Sequence, residues 1–173
     1  MSLNLRPMKR KGFTLIELLV VIAIIGLLST LAVVALNSAR QRSRDAKRVA
    51  DIRQIQTALE LGFSETSGYP VATGLVLGSA TGSKVLCKAT TGGLSNFASD
   101  ASGCATIYMG LVPSNPTPGA TGDTGYVYNG STSNYTLTFM LEGATGQLLQ
   151  GANCANPNGI QGKSGSYSPG TTC

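Results

Sequence analysis

From Phe13 to Leu36 the chain runs for 24 residues with a single charged side chain, Glu17. No other feature constrains the fold as strongly. As an α-helix this stretch rises about 36 Å, enough to cross a hydrocarbon layer of about 30 Å. Lys9, Arg10, Lys11 and Gly12 come directly before it, and no helix breaker follows it. Glu17 lies in the first turns, near one interface. An acid at the centre of a membrane helix costs about 2.5–3.5 kcal/mol on insertion scales and less near an end, so Glu17 is compatible with insertion. An ionisable group in such a segment calls for a partner of opposite charge at the same depth. A cut after Gly12 creates one, the new α-amine of Phe13, on the same or a neighbouring chain.

The run Gly12-Phe13-Thr14-Leu15-Ile16-Glu17 resembles the signature of type IV prepilins and the related pseudopilins. The resemblance continues through Gly26 and the amphipathic segment, covers about residues 8–70, and is weak beyond them. It implies cleavage between Gly12 and Phe13 by a prepilin peptidase, N-methylation of Phe13, and a role in filament assembly for Glu17. Met8 offers a second start, with the short leader Met-Lys-Arg-Lys-Gly. One departure stands out: Val34 occupies a position where many family members carry a helix-breaking proline. Valine removes no backbone donor and clashes with no preceding turn, so a continuous helix is predicted around Val34. Gly26 is the weak point of the apolar half, costing about 1 kcal/mol relative to alanine. With Ser29 it also offers a small surface for close helix approach. Two plainer readings compete. A secretory signal peptide has an apolar core of roughly 7–15 residues, shorter than this one. A simple single-span anchor accounts for the length but not for the Gly-Phe-Thr-Leu-Ile-Glu pattern.

After Asn37 the helix is expected to continue and become amphipathic. Ala46, Val49, Ile52, Ile55, Leu59 and Phe63 recur at spacings of three and four, the mark of an apolar stripe that packs on a globular part. No heptad is sustained, which argues against a coiled coil. Arg40, Arg42, Arg44, Lys47, Arg48 and Arg53 fall largely on other faces, with Arg48 and Asp51 spaced to pair. This basic cluster fits a solvated face, anionic lipid heads, DNA or a neighbouring subunit. Gly62 is read as loosening the helix end. Gly68, taking a positive φ, and Pro70 are expected to end it.

Beyond residue 70 the chain is rich in glycine, serine and threonine and poor in charge. The net charge of +5 misleads, because four of the 13 basic residues precede Gly12 and all eight acids follow it, leaving +1 after cleavage. Such a balance gives no argument for a polyanionic partner. Read as a topology signal, the basic leader stays cytoplasmic and the C-terminal part faces outward. Cys87, Cys104, Cys154 and Cys173 all lie in that part, and an even count in an exported domain argues for disulfides. Three pairings are possible. The expected one joins sequence neighbours, Cys87 with Cys104 and Cys154 with Cys173, each closing a loop worth roughly 3 kcal/mol. Zinc fits poorly, since no close Cys pair and no histidine are present. Strands are expected at Leu75–Leu77, Lys84–Cys87, Thr106–Met109, Tyr126–Asn129 and Tyr135–Glu142, the last two joined as a hairpin across residues 130–133. Residues 110–125 hold three prolines and four glycines and read as loop, and the tail after Gln147, rich in Gly, Asn, Ser and Pro and with no strand expected in it, is expected to be tied back by Cys154 and Cys173. Without histidine a Ser–His–Asp triad is impossible. Asp123 alone is a thin basis for calcium, which wants several oxygen ligands. The sequons at Asn129 and Asn134 are read as chance occurrences in an Asn/Ser/Thr-rich domain.

Together with the resemblance, these readings predict an α+β fold: a long N-terminal α-helix, membrane-spanning then amphipathic, packed on a small antiparallel β-sheet head with long loops. Its parts are a cleaved leader (1–12), an apolar helix (13–36), an amphipathic helix (37–66) and a disulfide-bonded head (67–173). The implied role is structural, not enzymatic: a major or minor pilin that polymerises into an extracellular homo-oligomeric filament. The alternatives are a pseudopilin of a type II-like secretion system and a membrane-anchored binding protein that never polymerises. Implied partners are the inner membrane before assembly, the prepilin peptidase and the pilus assembly machinery. The implied location is a single-pass inner-membrane precursor with a cytoplasmic N-terminus, then a cell-surface filament. No cofactor or metal is expected, and no residue decides for or against nucleic acid.

Overall fold

The computed structural model describes residues 12–79, 82–93, 95–162 and 173. The expected leader, residues 1–12, lies outside them except for Gly12. One helix, α1 (Leu15–Thr66), precedes eight strands: β1 (Ala72–Val76), β2 (Val85–Ala89), β3 (Ser95–Ala98), β4 (Cys104–Met109), β5 (Val127–Gly130), β6 (Tyr135–Leu141), β7 (Gly151–Asn156) and β8 (Gly159–Gly162). The chain divides into two compact units, one ending at Ala39 and one beginning at Arg40. The helix is assigned without interruption through Gly26 and Val34.

In the first unit every described side chain is exposed. Sixteen large apolar residues from Phe13 to Leu36 face solvent, among them Ile25 at 57 % exposure and Val34 at 71 %. This part of α1 is long and apolar enough to cross a membrane.

The second unit has its core where the remainder of α1 meets two antiparallel sheets. One is five-stranded, in the order β1-β5-β6-β7-β8, and the other three-stranded, in the order β3-β2-β4. From the helix come Ile52, Ile55, Ala58 and Leu59, and from β6 come Tyr135, Leu137, Phe139 and Leu141, all buried. The alternation read in β6 therefore points its large residues inward, although Thr136 and Thr138 between them are buried as well. Phe63, Tyr69, Tyr135 and Tyr128 form a run of ring contacts, with centroids 4.5, 4.8 and 6.2 Å apart. Such pairs contribute about 0.5–1.5 kcal/mol beyond the area they bury. β5 and β6 form the expected hairpin, with the loop at 131–134 closed by a Ser131 N–H donating to the Asn134 carbonyl at 2.8 Å.

Several expectations need correction. The tail after Gln147, where no strand is expected, forms two: β7 pairs with β6 and β8 with β7. β3 also forms, as an edge partner of β2. Ala46 is exposed and stands outside the apolar stripe, whereas Arg48, read as outward, is fully buried. Arg48 does not pair with Asp51. Its Nη1 donates to Asp45 at 2.7 Å and to Glu142 at 2.8 Å, its Nε to Asn115, and its Nη2 to the carbonyls of Pro116 and Pro118. Arg44 donates to Glu142 as well, and Asp45 accepts the backbone N–H groups of Glu142 and Gly143. Asp51 instead accepts from the Tyr126 hydroxyl at 2.9 Å. Burying a charge is tolerable only when it is paired and hydrogen-bonded, and this network supplies both.

The end of α1 differs too. The left-handed residue is Ser67, at φ 54°, rather than Gly68, and its N–H donates to the Phe63 carbonyl at 2.7 Å. Gly62 does not loosen the helix. It lets β3 and β4 approach closely: a Cβ there would lie 3.1 Å from Ser95 Oγ and 3.2 Å from the Tyr108 ring.

Candidate processing and assembly site

The residues singled out by sequence lie at the start of α1. Gly12 and Phe13 precede the helix outside regular secondary structure, and Phe13 is 91 % exposed. Among the described residues, a Cβ on Gly12 would meet no atom within 4 Å.

Glu17 is two residues into the helix, and its carboxylate turns back on the chain. Oε2 accepts from the Thr14 backbone N–H at 2.8 Å and from the Thr14 hydroxyl at 2.9 Å. In return the Thr14 hydroxyl oxygen accepts the Glu17 N–H at 3.2 Å. This is a capping box, in which an N-cap threonine and an N3 glutamate each satisfy an amide that the first helical turn leaves without a partner. The sequence carries this signal as Thr14-x-x-Glu17, the capping-box spacing. Thr14 is therefore the residue that sequence reasoning missed. In the uncut chain Phe13 carries a peptide amide, so the expected ammonium partner of Glu17 exists only after cleavage.

The cysteines form two bonds, Cys87–Cys104 and Cys154–Cys173, with Cα atoms 5.7 and 5.8 Å apart. The first ties β2 to the start of β4. The second ties β7 to the last residue of the chain. Asp123, weighed for calcium, has both oxygens engaged, accepting from Asn115 Nδ2 and from the Gly125 N–H.

Charge elsewhere is concentrated where α1 meets the sheets. The Glu142 carboxyl is held down at about 2, chiefly by its hydrogen bond from Arg44 and then by Arg48, against the opposing effect of burial. Asp51 moves the other way: burial raises it, while the Tyr126 hydroxyl and Lys47 pull it back in part. Tyr108, hydrogen-bonded to Glu65, is pushed up to about 12 by burial first and by that carboxylate second.

Comparison with known proteins places these features. Residues 7–33 match the family model of the prokaryotic N-terminal methylation motif. The type II secretion system core protein G of Escherichia coli (strain K12) is 39 % identical over 62 residues, 36 % of this chain and 43 % of that protein. The fimbrial protein of Dichelobacter nodosus is 36 % identical over 101 residues, 55 % of this chain and 63 % of that protein. The type IV major pilin protein PilA of Myxococcus xanthus is 36 % identical over 61 residues, 35 % of this chain and 28 % of that protein. The chain thus spans less than half of the length of most of these relatives. No solved structure matches. By its methylation motif and its relatives on both sides, the chain is a homologue of the type IV pilins and of the pseudopilins of type II secretion.

Proposed function

We propose that this chain is a structural subunit that polymerises through the N-terminal half of α1 into an extracellular type IV filament. One observation carries the reading: sixteen large apolar side chains lie exposed on a helix that elsewhere buries even its charges. Each such residue gains about 1.5–3 kcal/mol when moved out of water. Lipid meets that demand in the precursor, and the apolar halves of neighbouring copies meet it in the filament. A prepilin peptidase cuts between Gly12 and Phe13 and methylates Phe13. Glu17 then exchanges its bond to the Thr14 amide for the new Phe13 ammonium of a neighbouring copy, because both charges are costly in an apolar core unless paired. The assembly machinery draws the subunit out of the inner membrane.

The orientation read from the basic leader, with the head outward, is supported by the disulfides of the head. Disulfides persist in oxidising compartments, which supports a head outside the cytoplasm. The test is intact-mass analysis of protein sheared from the cell surface. A mass beginning at N-methylated Phe13, in imaged filaments, is expected. Assembled protein that still contains residues 9–12 contradicts the processing step. The same chain confined to a periplasmic secretion apparatus supports the pseudopilin alternative.

A further inference from the structure

The chain contains the dipeptide Asn-Gly twice, at Asn129-Gly130 and at Asn158-Gly159. An asparagine carboxamide is open to attack by the backbone nitrogen of the residue that follows it. Glycine, which has no Cβ, hinders that approach least. The fold treats the two copies differently. Asn129 lies in β5, an inner strand held between β1 and β6. Its Oδ1 accepts the Gly74 N–H at 2.7 Å, and its Nδ2 is buried. Gly130 is paired with Ala72 on one side and with Tyr135 on the other. A Cβ there would lie 2.2 Å from the Tyr128 hydroxyl oxygen and 2.5 Å from the Pro70 carbonyl oxygen, so the backbone is packed in place. Asn158 and Gly159 belong instead to the hairpin of β7 and β8, and β8 is an edge strand. Asn158 is exposed, and its carboxamide makes no hydrogen bond among the described residues. A Cβ on Gly159, at φ 128°, would meet no atom within 4 Å. Asn156 with Gly159 is the last pair of the β7–β8 ladder, so freeing the Gly159 amide takes only fraying at a sheet end.

We infer that Asn158-Gly159 is a site of spontaneous deamidation in the folded head. The Gly159 nitrogen bonds to Asn158 Cγ, the Cγ–Nδ2 bond breaks, and ammonia leaves with the proton that the Gly159 amide gives up. The product is a cyclic imide. Water opens it at Cγ to give aspartate, or at the main-chain carbonyl to give isoaspartate, which adds a methylene to the backbone of the turn. Either product is ionised at neutral pH, since an aspartate carboxyl titrates at about 3.9. The new carboxylate lines the cavity that Asn158 shares with Arg53, Gln56 and Glu60 of α1. Arg53 makes no ion pair among the described residues and gains an acid at its own cavity. Asn129 keeps its amide. The reaction consumes only water, and it requires neither cleavage after Gly12 nor assembly.

The test incubates the full disulfide-bonded chain in detergent, in warm and mildly alkaline buffer. Peptide mapping by mass spectrometry reads amide, aspartate and isoaspartate at 129 and at 158 over time. Acid should accumulate at 158 at least about ten-fold faster than at 129, the ratio set by fraying at a sheet edge against opening of an inner strand. Reduction in urea should bring the two rates together, because the fold alone separates them. Isoaspartate should be among the products at 158, since direct hydrolysis of the side-chain amide yields aspartate only. Asn158→Gln, which leaves the backbone of the turn unchanged and closes the ring far less readily, should lose the conversion at that position. An amide that persists at 158 overturns the inference. Equal rates at 129 and 158 in the folded chain overturn the role given to the turn, and aspartate without isoaspartate overturns the attack by Gly159.

Discussion

Within the single helix α1, the stretch from Phe13 to Leu36 exposes leucine, isoleucine and valine, while the stretch from Asp45 to Gly62 buries arginine and aspartate beside isoleucine and leucine. In water this assignment is inverted. The second stretch resolves its side of the inversion internally, because every buried charge found there has hydrogen-bond partners from the sheets and loops. The first stretch is exposed throughout its described residues. The contrast teaches that exposure means different things along one helix: at Leu61 it is contact with solvent, and at Ile25, on the function proposed above, it is a surface for lipid or another copy.

The largest expected effect comes from testing that difference at equal exposure. Ile25 and Leu61 are 57 % and 54 % exposed. Ile25→Lys places a charge at the middle of the span, costing about 3 kcal/mol on insertion scales, so membrane-fraction abundance should fall more than ten-fold. Leu61→Lys should change head stability by less than about 0.5 kcal/mol in denaturant titration. Equal, small effects at both positions remove the distinction.

Next comes the buried network. Arg48→Ala leaves Asp45 and Glu142 without their shared partner and the Pro116 and Pro118 carbonyls without a donor. Such a loss costs about 3–5 kcal/mol, and Arg48→Met, which refills the space but not the bonds, should cost less. Urea denaturation of the disulfide-bonded head measures both. Breaking Cys87–Cys104 by Cys87→Ser should cost roughly 3 kcal/mol in the same assay, the entropy of a loop of this size. Non-reducing peptide mapping should recover that pair and Cys154–Cys173, and free thiols at all four positions would refute export.

How much of this was legible can be judged from particular residues. The apolar span, the processing motif, the β5–β6 hairpin and most of the helix stripe repeat or cluster locally, and local patterns are what a sequence displays. Arg48 was not legible, because what buries it is Glu142, 94 residues away, together with the Pro116 and Pro118 carbonyls. β7 and β8 escaped because Gly-Ala-Asn-Cys-Ala-Asn and Gly-Ile-Gln-Gly carry little strand propensity. Pairing of Ala155 with Leu137 across β6 makes β7 a strand. Of the candidate site, Gly12, Phe13 and Glu17 were visible as a motif. Thr14 was equally visible but calls for a reading of backbone amides rather than of charges.

Stability also carries a pH dependence. Glu142 has a folded value of about 2 against an ordinary 4.5. The unfolded chain therefore binds more protons between these values, and stability is lost as pH falls from about 4.5 to about 2. Asp51, raised by burial, opposes this weakly, because the folded state takes up its proton first. Glu142→Gln should be less stable at neutral pH and show a flatter acid limb. An unchanged acid limb in that variant contradicts the role given to the Arg44–Glu142–Arg48 cluster.

The central claim is that Glu17 acts in assembly through its charge and not merely as half of the capping box with Thr14. Glu17→Gln separates the two, since glutamine completes a capping box but carries no charge. The measurement is sheared-filament yield, normalised to membrane-fraction abundance, for wild type, Glu17→Gln and Glu17→Asp in the same background. Glu17→Gln is expected to show normal membrane abundance with filament yield reduced more than ten-fold, because an unpaired Phe13 ammonium in the apolar core costs about 3–5 kcal/mol. Glu17→Asp, which keeps the charge on a shorter arm, should be intermediate. Wild-type filament yield from Glu17→Gln would contradict the claim and leave Glu17 as a helix cap alone.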